Sequence, residues 1–417
     1  MTKLKTLLKV LGPGLLFASM AIGTSHLVLS TKAGAQYGWV MVIPIILANL
    51  FKYPFFEFGI RYTTVTEKTL VEGYLNLGKK YLWIYAFVTL ISTFTILAAL
   101  YVVTAGLFMN LFGISGMSVS MIALCLFLLI SLLLIIGKYQ FLEDSLKAVI
   151  SILFVALLIT TVMVLQKGVV PGSESYQRPE IFNETGILFL IGLMGWMPTA
   201  VEASGWVSLW SIENLKTMKN KPSLGLALQE FNVGYFLTAL LAVFFMIIGW
   251  MTLYGTGTEL SGSAVVFADQ VVSLFTVHIG NWAYILIAVA AFTTMFSTCM
   301  TAHDAVSRVS IDVLEKLFPT QKAFKGKNTF AVTVILMALV NWVVIDRFSA
   351  NMANLVALAT FVSFVFAPLL GWMNLKTVVG KDVPEPYRPK LGLKILTYLG
   401  IVFLSLFALY YCWEIIV

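Results

Sequence analysis

Residues 21–26 read AIGTSH and interrupt a hydrophobic stretch, residues 11–39, that is otherwise long enough to cross a membrane. Glycine weakens a helix, and consecutive polar side chains are costly at the centre of a bilayer. A second stretch, residues 185–211, is interrupted by Gly195 and Pro198. Proline ends or kinks a helix because it removes a backbone donor and clashes with the preceding turn. The sequence therefore predicts two discontinuous helices.

The composition is that of a membrane protein. Of the 417 residues, 59% are hydrophobic and only 11% are charged, whereas soluble domains have about 25% charged residues. The net charge of +7 comes from basic residues in short loops, which indicates membrane topology and argues against nucleic-acid binding. The three scattered cysteines give neither a disulfide framework nor a zinc spacing. With no nucleotide motif and no catalytic constellation, we expect neither an enzyme nor a cofactor.

Eleven segments are apolar over the roughly 20 residues that a membrane-spanning helix needs. They are residues 11–36, 38–62, 82–112, 117–136, 141–166, 185–211, 231–255, 280–312, 329–346, 350–375 and 392–416. Of the 27 lysine and arginine residues, 21 fall on one side of this topology and four on the other. The positive-inside rule then predicts a multi-pass plasma-membrane protein with a cytoplasmic N-terminus and an external C-terminus.

The two interrupted segments occupy matching places in two blocks of five. Repeat one covers about 11–166 and repeat two about 185–375, with an extra helix at about 392–416, and together they form one transmembrane domain over residues 1–417. Matched breaks are typical of inverted-repeat transporters, in which the substrate binds between the breaks near the bilayer midplane. The alternative is two unrelated kinks in a helical bundle.

Three stretches resemble the NRAMP (natural resistance-associated macrophage protein) family of divalent-metal transporters. They are GPGLLFASMAIGTSHLVLSTKAGAQYGW at residues 12–39, WMPTAVEASGW at 196–206 and FGIRYTTVTEKTLVEGY at 58–74. The resemblance implies an all-α LeuT-like fold, which is a 5+5 inverted repeat of eleven helices with helices 1 and 6 discontinuous. It also implies alternating access and uptake of a transition-metal ion, often with protons.

The sequence departs from the family at the metal site. The family's Asp-Pro-Gly-Asn motif reads GTSH at residues 23–26, and the histidines of its sixth helix are replaced by Thr199 and Ser204. The methionine ligand is kept as Met197, and Phe361 takes the place of a frequent glutamine. We therefore predict a substrate site made of Gly23, Thr24, Ser25, His26, Met194, Met197, Thr199, Glu202 and Phe361.

Three interpretations of this altered site are possible. His26 and Met197 are suitable ligands for a soft transition metal, Glu202 can supply the missing negative charge, and an anionic or zwitterionic solute can bind the half-helix N-termini. The simpler interpretations are that Glu202 and Thr199 form a capping box and that Met197 only packs. A small organic or anionic solute, such as an amino acid or carboxylate, thus remains the alternative to a metal. A sensor that does not transport is a third possibility, although it usually needs a long cytoplasmic tail.

Four residues are predicted to couple or gate transport: His26, Glu202, His303 and Asp304. Imidazole titrates near neutral pH and can carry a coupled proton. His303 and Asp304 either belong to a gate network or lie at a solvated helix end, and Lys52 either snorkels or lines the inner path. The expected partners are the transported ion or solute and the lipid bilayer.

Overall fold

The computed structural model describes residues 13–137, 139–173, 176–218, 220–281, 284–348 and 352–416, and in these residues it contains helices and no strand. Span 1 comprises Pro13–Ala21 (span 1a) and, after a break, Ser25–Ser30 continued by Thr31–Tyr37 (span 1b). Span 6 comprises Glu184–Gly195 (span 6a) and Ala203–Thr217 (span 6b). The other spans are span 2 Val42–Thr66, span 3 Lys79–Phe112, span 4 Val119–Ile136, span 5 Tyr139–Lys167, span 7 Leu224–Leu253, span 8 Tyr284–Leu317, span 9 Thr329–Phe348, span 10 Met352–Val379 and span 11 Leu391–Ile416.

All eleven predicted segments are helical where they are described, and both predicted breaks are present. The segment ends at 11–12, 282–283 and 350–351 lie outside the described residues. Eight helical stretches in the described part are long and apolar enough to cross a membrane by themselves. Spans 1a and 6a are too short to be among them because each is half of a broken helix, and span 1b is counted with span 2 because a 3₁₀ turn, Gly38–Met41, joins them.

Short helices connect the spans on both faces. The helices Leu70–Leu77 and Ala264–Ile279, which the sequence analysis did not predict, follow spans 2 and 7. Two single 3₁₀ turns, Lys322–Lys325 and Glu385–Tyr387, precede spans 9 and 11. These connectors leave no room for a separate domain within the described residues.

Four of the helices begin with side-chain caps. Their cap side chains accept hydrogen bonds from backbone N–H groups of the first turn and so satisfy donors that have no helical partner. The capping residues are Thr69 for the helix Leu70–Leu77, Ser118 for span 4, Asn183 for span 6a and Ser223 for span 7. Spans 1b and 6b, which start at the breaks, have no side-chain cap.

Span 7 lies directly against span 1. A Cβ atom on Gly34 of span 1b would lie 1.9 Å from the carbonyl oxygen of Met246, so the two backbones touch at this point. Small residues permit such close packing between membrane helices, where van der Waals contact replaces the hydrophobic effect as the driving force. Spans 3 and 8 pack against each other as well. Each has 34 residues and a length of about 51 Å, well beyond the ~30 Å hydrocarbon layer.

Candidate functional site

The two helix breaks are in contact with each other. The break in span 1 covers residues 22–24, and the break in span 6 covers residues 196–202, where the Met197–Pro198 peptide bond is cis. The hydroxyl oxygen of Ser25 lies 3.4 Å from the carbonyl oxygen of Pro198. The fold therefore brings together the two stretches on which the sequence analysis placed the substrate.

A glycine lies in the first break and another lies directly before the second, and a neighbouring span approaches each of them closely. A Cβ atom on Gly23 would lie 2.6 Å from the Cγ2 atom of Thr298 in span 8, and one on Gly195 would lie 2.3 Å from the carbonyl oxygen of Thr360 in span 10. Cβ atoms essentially never come closer than 3.0 Å to another atom. Only glycine fits at these two positions without displacing a neighbour, so spans 8 and 10 support the breaks.

Neutral hydroxyl groups meet the carbonyl groups at the end of span 1a. The last carbonyls of a helix have no partner within it and need one elsewhere. The Ser25 hydroxyl lies 2.8 Å from the carbonyl oxygen of Ala21. The Thr298 hydroxyl lies 2.9 Å from the carbonyl oxygen of Ser19. Among the described residues, these two carbonyl groups are thus met by neutral hydroxyls.

A charged group meets the carbonyl groups at the end of span 6a. The ammonium of Lys52, from span 2, donates to the carbonyl oxygens of Met194 and Gly195 at 2.7 Å and of Thr199 at 3.2 Å. Lys52 is fully buried. The expectation that this lysine snorkels to an interface is therefore wrong, because its three donors are satisfied inside the protein.

Glu202 lies beside this lysine. Its carboxylate Oε1 accepts hydrogen bonds from the hydroxyl groups of Ser92 at 2.6 Å and Ser363 at 3.1 Å, and the carboxylate also attracts the ammonium of Lys52. Glu202 precedes span 6b but makes no side-chain cap. The capping-box interpretation of Thr199 and Glu202 is therefore wrong, and the carboxylate instead connects the break to spans 3 and 10.

His26 faces span 7 and Ser25. Its Nε2 lies 2.9 Å from the carbonyl oxygen of Thr238, and its Nδ1 lies 2.8 Å from the Ser25 hydroxyl. A carbonyl oxygen only accepts, so we assign the proton of the neutral ring to Nε2 and let Nδ1 accept from Ser25. In this state both ring nitrogens are used by the protein itself.

A cavity of about 20 Å³ lies between the breaks, with room for about one water molecule or a small ion. The side chains of Thr24, Ser25 and Thr199 line it, together with apolar and aromatic groups that include Trp206. The Thr24 hydroxyl and the Trp206 indole N–H have no hydrogen-bond partner within the described residues. The cavity therefore offers hydroxyl oxygens from both breaks.

The structure does not bring all the predicted site residues to this cavity. His26, Met197 and Glu202 do not converge around it, since His26 is bonded towards span 7 and Glu202 towards spans 3 and 10. Met194 and Met197 are fully buried, and Met194 contributes its carbonyl group to the Lys52 contact. Phe361 is half-buried and packs at the edge of the core. No cluster of three or more metal-ligating side chains of His, Cys, Asp or Glu occurs in the described residues.

The predicted gate residues lie on two sides of span 8. His303 Nδ1 lies 2.9 Å from the Tyr101 hydroxyl, and its Nε2 lies 3.0 Å from the carbonyl oxygen of Val334. Asp304 accepts from the Trp210 indole at 3.0 Å and pairs with Arg308 at 2.8 Å. Both side chains are buried, so they do not lie at a solvated helix end.

A vestibule lies on the predicted outer face, and polar side-chain contacts lie on the predicted inner face. A vestibule of about 480 Å³ opens between spans 1b, 6a and 10, where it reaches Thr360. On the inner side, Glu57 pairs with Arg61, and the Tyr62 hydroxyl donates to Asp382 at 2.8 Å. This hydrogen bond lowers the pKa of the Asp382 carboxyl, which lies in the exposed loop after span 10.

Sequence reasoning missed two groups that hold the site. Ser92 and Ser363 donate hydrogen bonds to the Glu202 carboxylate. Serine and threonine are common in membrane helices and usually bond their own backbone, so their presence in the sequence does not indicate a functional site. Lys52 is different, because a lysine in the middle of an apolar span is itself a functional signal.

Comparisons with known proteins agree with this architecture. A sequence profile described as natural resistance-associated macrophage protein-like matches residues 14–414. An uncharacterized protein of Pasteurella multocida is 32% identical over 401 residues, which cover 96% of this chain and 90% of that protein.

Solved structures show the same fold at low sequence identity. A mutant of the Eremococcus coleocola manganese transporter superposes with a TM-score of 0.70 at 14% identity, over 97% of this chain and 86% of that chain. The structure of MhsT in complex with L-phenylalanine gives a TM-score of 0.62 at 14% identity, over 95% of this chain and 98% of that chain. The predicted all-α fold with its interrupted helices is confirmed.

Proposed function

Because this chain belongs to the natural resistance-associated macrophage protein-like family, whose members are membrane transporters and not enzymes, we propose that it carries a metal cation by alternating access. The single observation that supports this proposal most is the cavity of about 20 Å³ between the two helix breaks. It has the size of one small ion, and it lies where transporters with broken helices bind their substrates. The Eremococcus coleocola manganese transporter has the same fold.

Ligands near the cavity, rather than the hydroxyl groups that line it, favour a transition metal over magnesium. The hydroxyl oxygens of Thr24, Ser25 and Thr199 are neutral ligands, and the nearest negative charge, on Glu202, is already attracted by Lys52. Magnesium loses its water reluctantly, so a site of neutral oxygens is poorly suited to it. A softer ion such as manganese or iron(II) can in addition use the Met197 thioether or the His26 imidazole if the breaks rearrange.

Proton coupling through His26 is part of the proposal. In the neutral state, Nδ1 accepts from the Ser25 hydroxyl, which lines the cavity. A proton added at Nδ1 would make this nitrogen a donor, and the Ser25 oxygen would then accept from His26 instead of facing an ion. Protonation of His26 thus changes whether the Ser25 oxygen is available to bind an ion.

The transport path runs from the vestibule to the cavity and then to the inner face. Access from the vestibule requires movement around Thr360 and Gly195, where spans 10 and 6a touch. Release on the other side requires the contacts of Asp304 with Trp210 and Arg308 to open. We further propose a plasma-membrane location with the N-terminus in the cytoplasm and the C-terminus outside, on the basis of the positive-inside distribution.

Influx into proteoliposomes that hold a metal-sensitive dye tests the proposal. Manganese, iron(II), zinc, cadmium and magnesium are offered separately to the parent protein, to Thr24→Val and to Thr31→Val. The control Thr31 is on the same half-helix, is fully buried and has a hydroxyl without a partner in the described residues, but it does not line the cavity. We expect saturable influx of at least one transition metal, reduced about tenfold in Thr24→Val and unchanged in Thr31→Val. If the folded protein transports none of the five ions, the proposal that its substrate is a metal cation is rejected.

A small anionic solute is the second candidate, and one observation favours it. The N-terminal ends of spans 1b and 6b carry no side-chain cap, and the ammonium of Lys52 is close to the second of them. Helix N-termini attract anions. Uptake of labelled amino acids or small carboxylates, measured in the same proteoliposomes in the absence of metal, distinguishes this candidate.

A further inference from the structure

The ammonium of Lys52 sits in a cradle of backbone carbonyl groups. Its three partners are the carbonyl oxygens of Met194, Gly195 and Thr199, at 2.7, 2.7 and 3.2 Å. All three belong to one short stretch, the end of span 6a and the break that follows it, whereas Lys52 comes from span 2. We call these three oxygens the carbonyl cradle.

The carbonyl cradle has the features of a monovalent-cation site. The C-terminal end of a helix is a negative pole, and the unwound carbonyl groups of broken membrane helices coordinate cations. A carboxylate, that of Glu202, lies near enough to attract whatever cation occupies the cradle. An ammonium group has three donors, and here each has one oxygen as its partner.

Capping alone does not explain a charge at this position. The end of span 1a, which is the equivalent place in the other repeat, is met by the hydroxyl groups of Ser25 and Thr298. The Thr298 hydroxyl donates to the Ser19 carbonyl oxygen, so a neutral hydroxyl is sufficient to satisfy such a carbonyl in this fold. Burial of an ammonium is costly unless charge and geometry compensate for it, so its presence points to a need for positive charge.

We propose that the carbonyl cradle is a monovalent-cation site that Lys52 fills permanently from within the chain. The tethered ammonium takes the place of a dissolved cation and holds the break of span 6 in shape. Removal of the side chain would open the cradle to ammonium, methylammonium, sodium or potassium. The proposal concerns the stability of the break and does not depend on which substrate is transported.

Thermal unfolding of the purified full-length protein tests the proposal. The parent and Lys52→Ala are compared in N-methyl-D-glucamine chloride and in sodium, potassium, ammonium and methylammonium chloride at one ionic strength. We expect the Tm of Lys52→Ala to be lower than that of the parent by about 5 °C or more in N-methyl-D-glucamine. At least one small cation should restore a good part of this loss with a saturable dependence, while the Tm of the parent stays the same in all salts.

Three further variants separate the charge from other effects. Lys52→Met fills the space with an apolar chain, so its Tm should be low in every salt. Lys52→Gln keeps N–H donors without the charge, and it too should be less stable than the parent. Lys32→Ala removes a lysine from the vestibule and controls for general salt effects.

Three results would overturn the proposal. The first is that small cations change the Tm of Lys52→Ala no more than they change the Tm of the parent or of Lys32→Ala. The second is a Tm of Lys52→Gln equal to that of the parent, because charge would then be unnecessary. The third is aggregation of Lys52→Ala in all five salts, because a dissolved cation would then be unable to replace the ammonium. None of these results bears on metal transport by the parent protein.

Discussion

The hydroxyl oxygen of Ser25 lies 3.4 Å from the carbonyl oxygen of Pro198, and this contact joins the two helix breaks. The same hydroxyl lies 2.8 Å from the Ala21 carbonyl oxygen and 2.8 Å from Nδ1 of His26. One side chain thus touches the end of span 1a, the break of span 6 and the imidazole. A change at Ser25 should therefore affect both the fold and the proposed substrate site.

Ser25→Ala should lower the free energy of unfolding by about 1 kcal/mol, the usual contribution of a hydrogen bond, and should slow transport. Ser30→Ala is the matched control, since Ser30 is on the same half-helix and its hydroxyl donates to the Ser25 carbonyl group at 3.2 Å, with no other partner in the described part of the chain. Thermal unfolding and proteoliposome influx are measured for both variants. Equal transport rates in the two variants would contradict a special role for Ser25.

Gly195→Ala should destabilise the protein by about 1–3 kcal/mol, as overpacked core sites do. The added methyl group would lie 2.3 Å from the Thr360 carbonyl oxygen and would separate spans 6a and 10. Gly225→Ala, near the start of span 7, is the control because nothing lies within 4 Å of its Cβ position. A Tm for Gly195→Ala as high as that for Gly225→Ala would show that the two spans can move apart without cost.

Glu202→Gln should be strongly destabilising, by about 3–5 kcal/mol, because it leaves the buried ammonium of Lys52 without a compensating charge. The double variant with Lys52→Gln should lose less stability than the sum of the two single variants. Glu213→Gln, which breaks a partly exposed pair with Lys216, should cost about 1 kcal/mol or less. Additive effects in the Lys52 and Glu202 cycle would show that the two groups do not interact.

Asp382 should contribute to stability in a pH-dependent manner. The hydrogen bond from Tyr62 lowers the pKa of its carboxyl, so the charged form favours the folded state. This contribution is complete above the unfolded pKa of about 3.9 and is lost as the pH falls through the lower folded value. The Tm difference between the parent and Asp382→Asn should therefore be largest near pH 6 and shrink below pH 4. Glu385→Gln, an exposed neighbour, is the control.

Most of the fold was predictable from the sequence because hydropathy and helix breakers mark it directly. The eleven apolar segments and the breaks at Gly23 and Pro198 follow from composition over windows of about 20 residues. The helix boundaries were less accurate. Span 7 begins at Leu224, seven residues before the predicted 231, since Ser223 caps a helical turn outside the apolar part.

The site was predictable only in its position along the chain. Thr24, Ser25 and Thr199 line the cavity as expected, because residues at the breaks must face it. The directions of His26 and Glu202 depend instead on partners from distant spans, Thr238 for the first and Ser92 for the second. No local pattern in the sequence specifies such pairings.

The position of Thr298 in span 8 has a mechanical consequence. It lies about 21 Å from one end of this helix and about 28 Å from the other, and at this midpoint it touches Gly23. A helix that tilts about such a pivot moves its ends by several ångströms while its centre stays almost still. A tilt of span 8 about Thr298 would therefore move the two ends of the helix in opposite directions while its contact with Gly23 is kept.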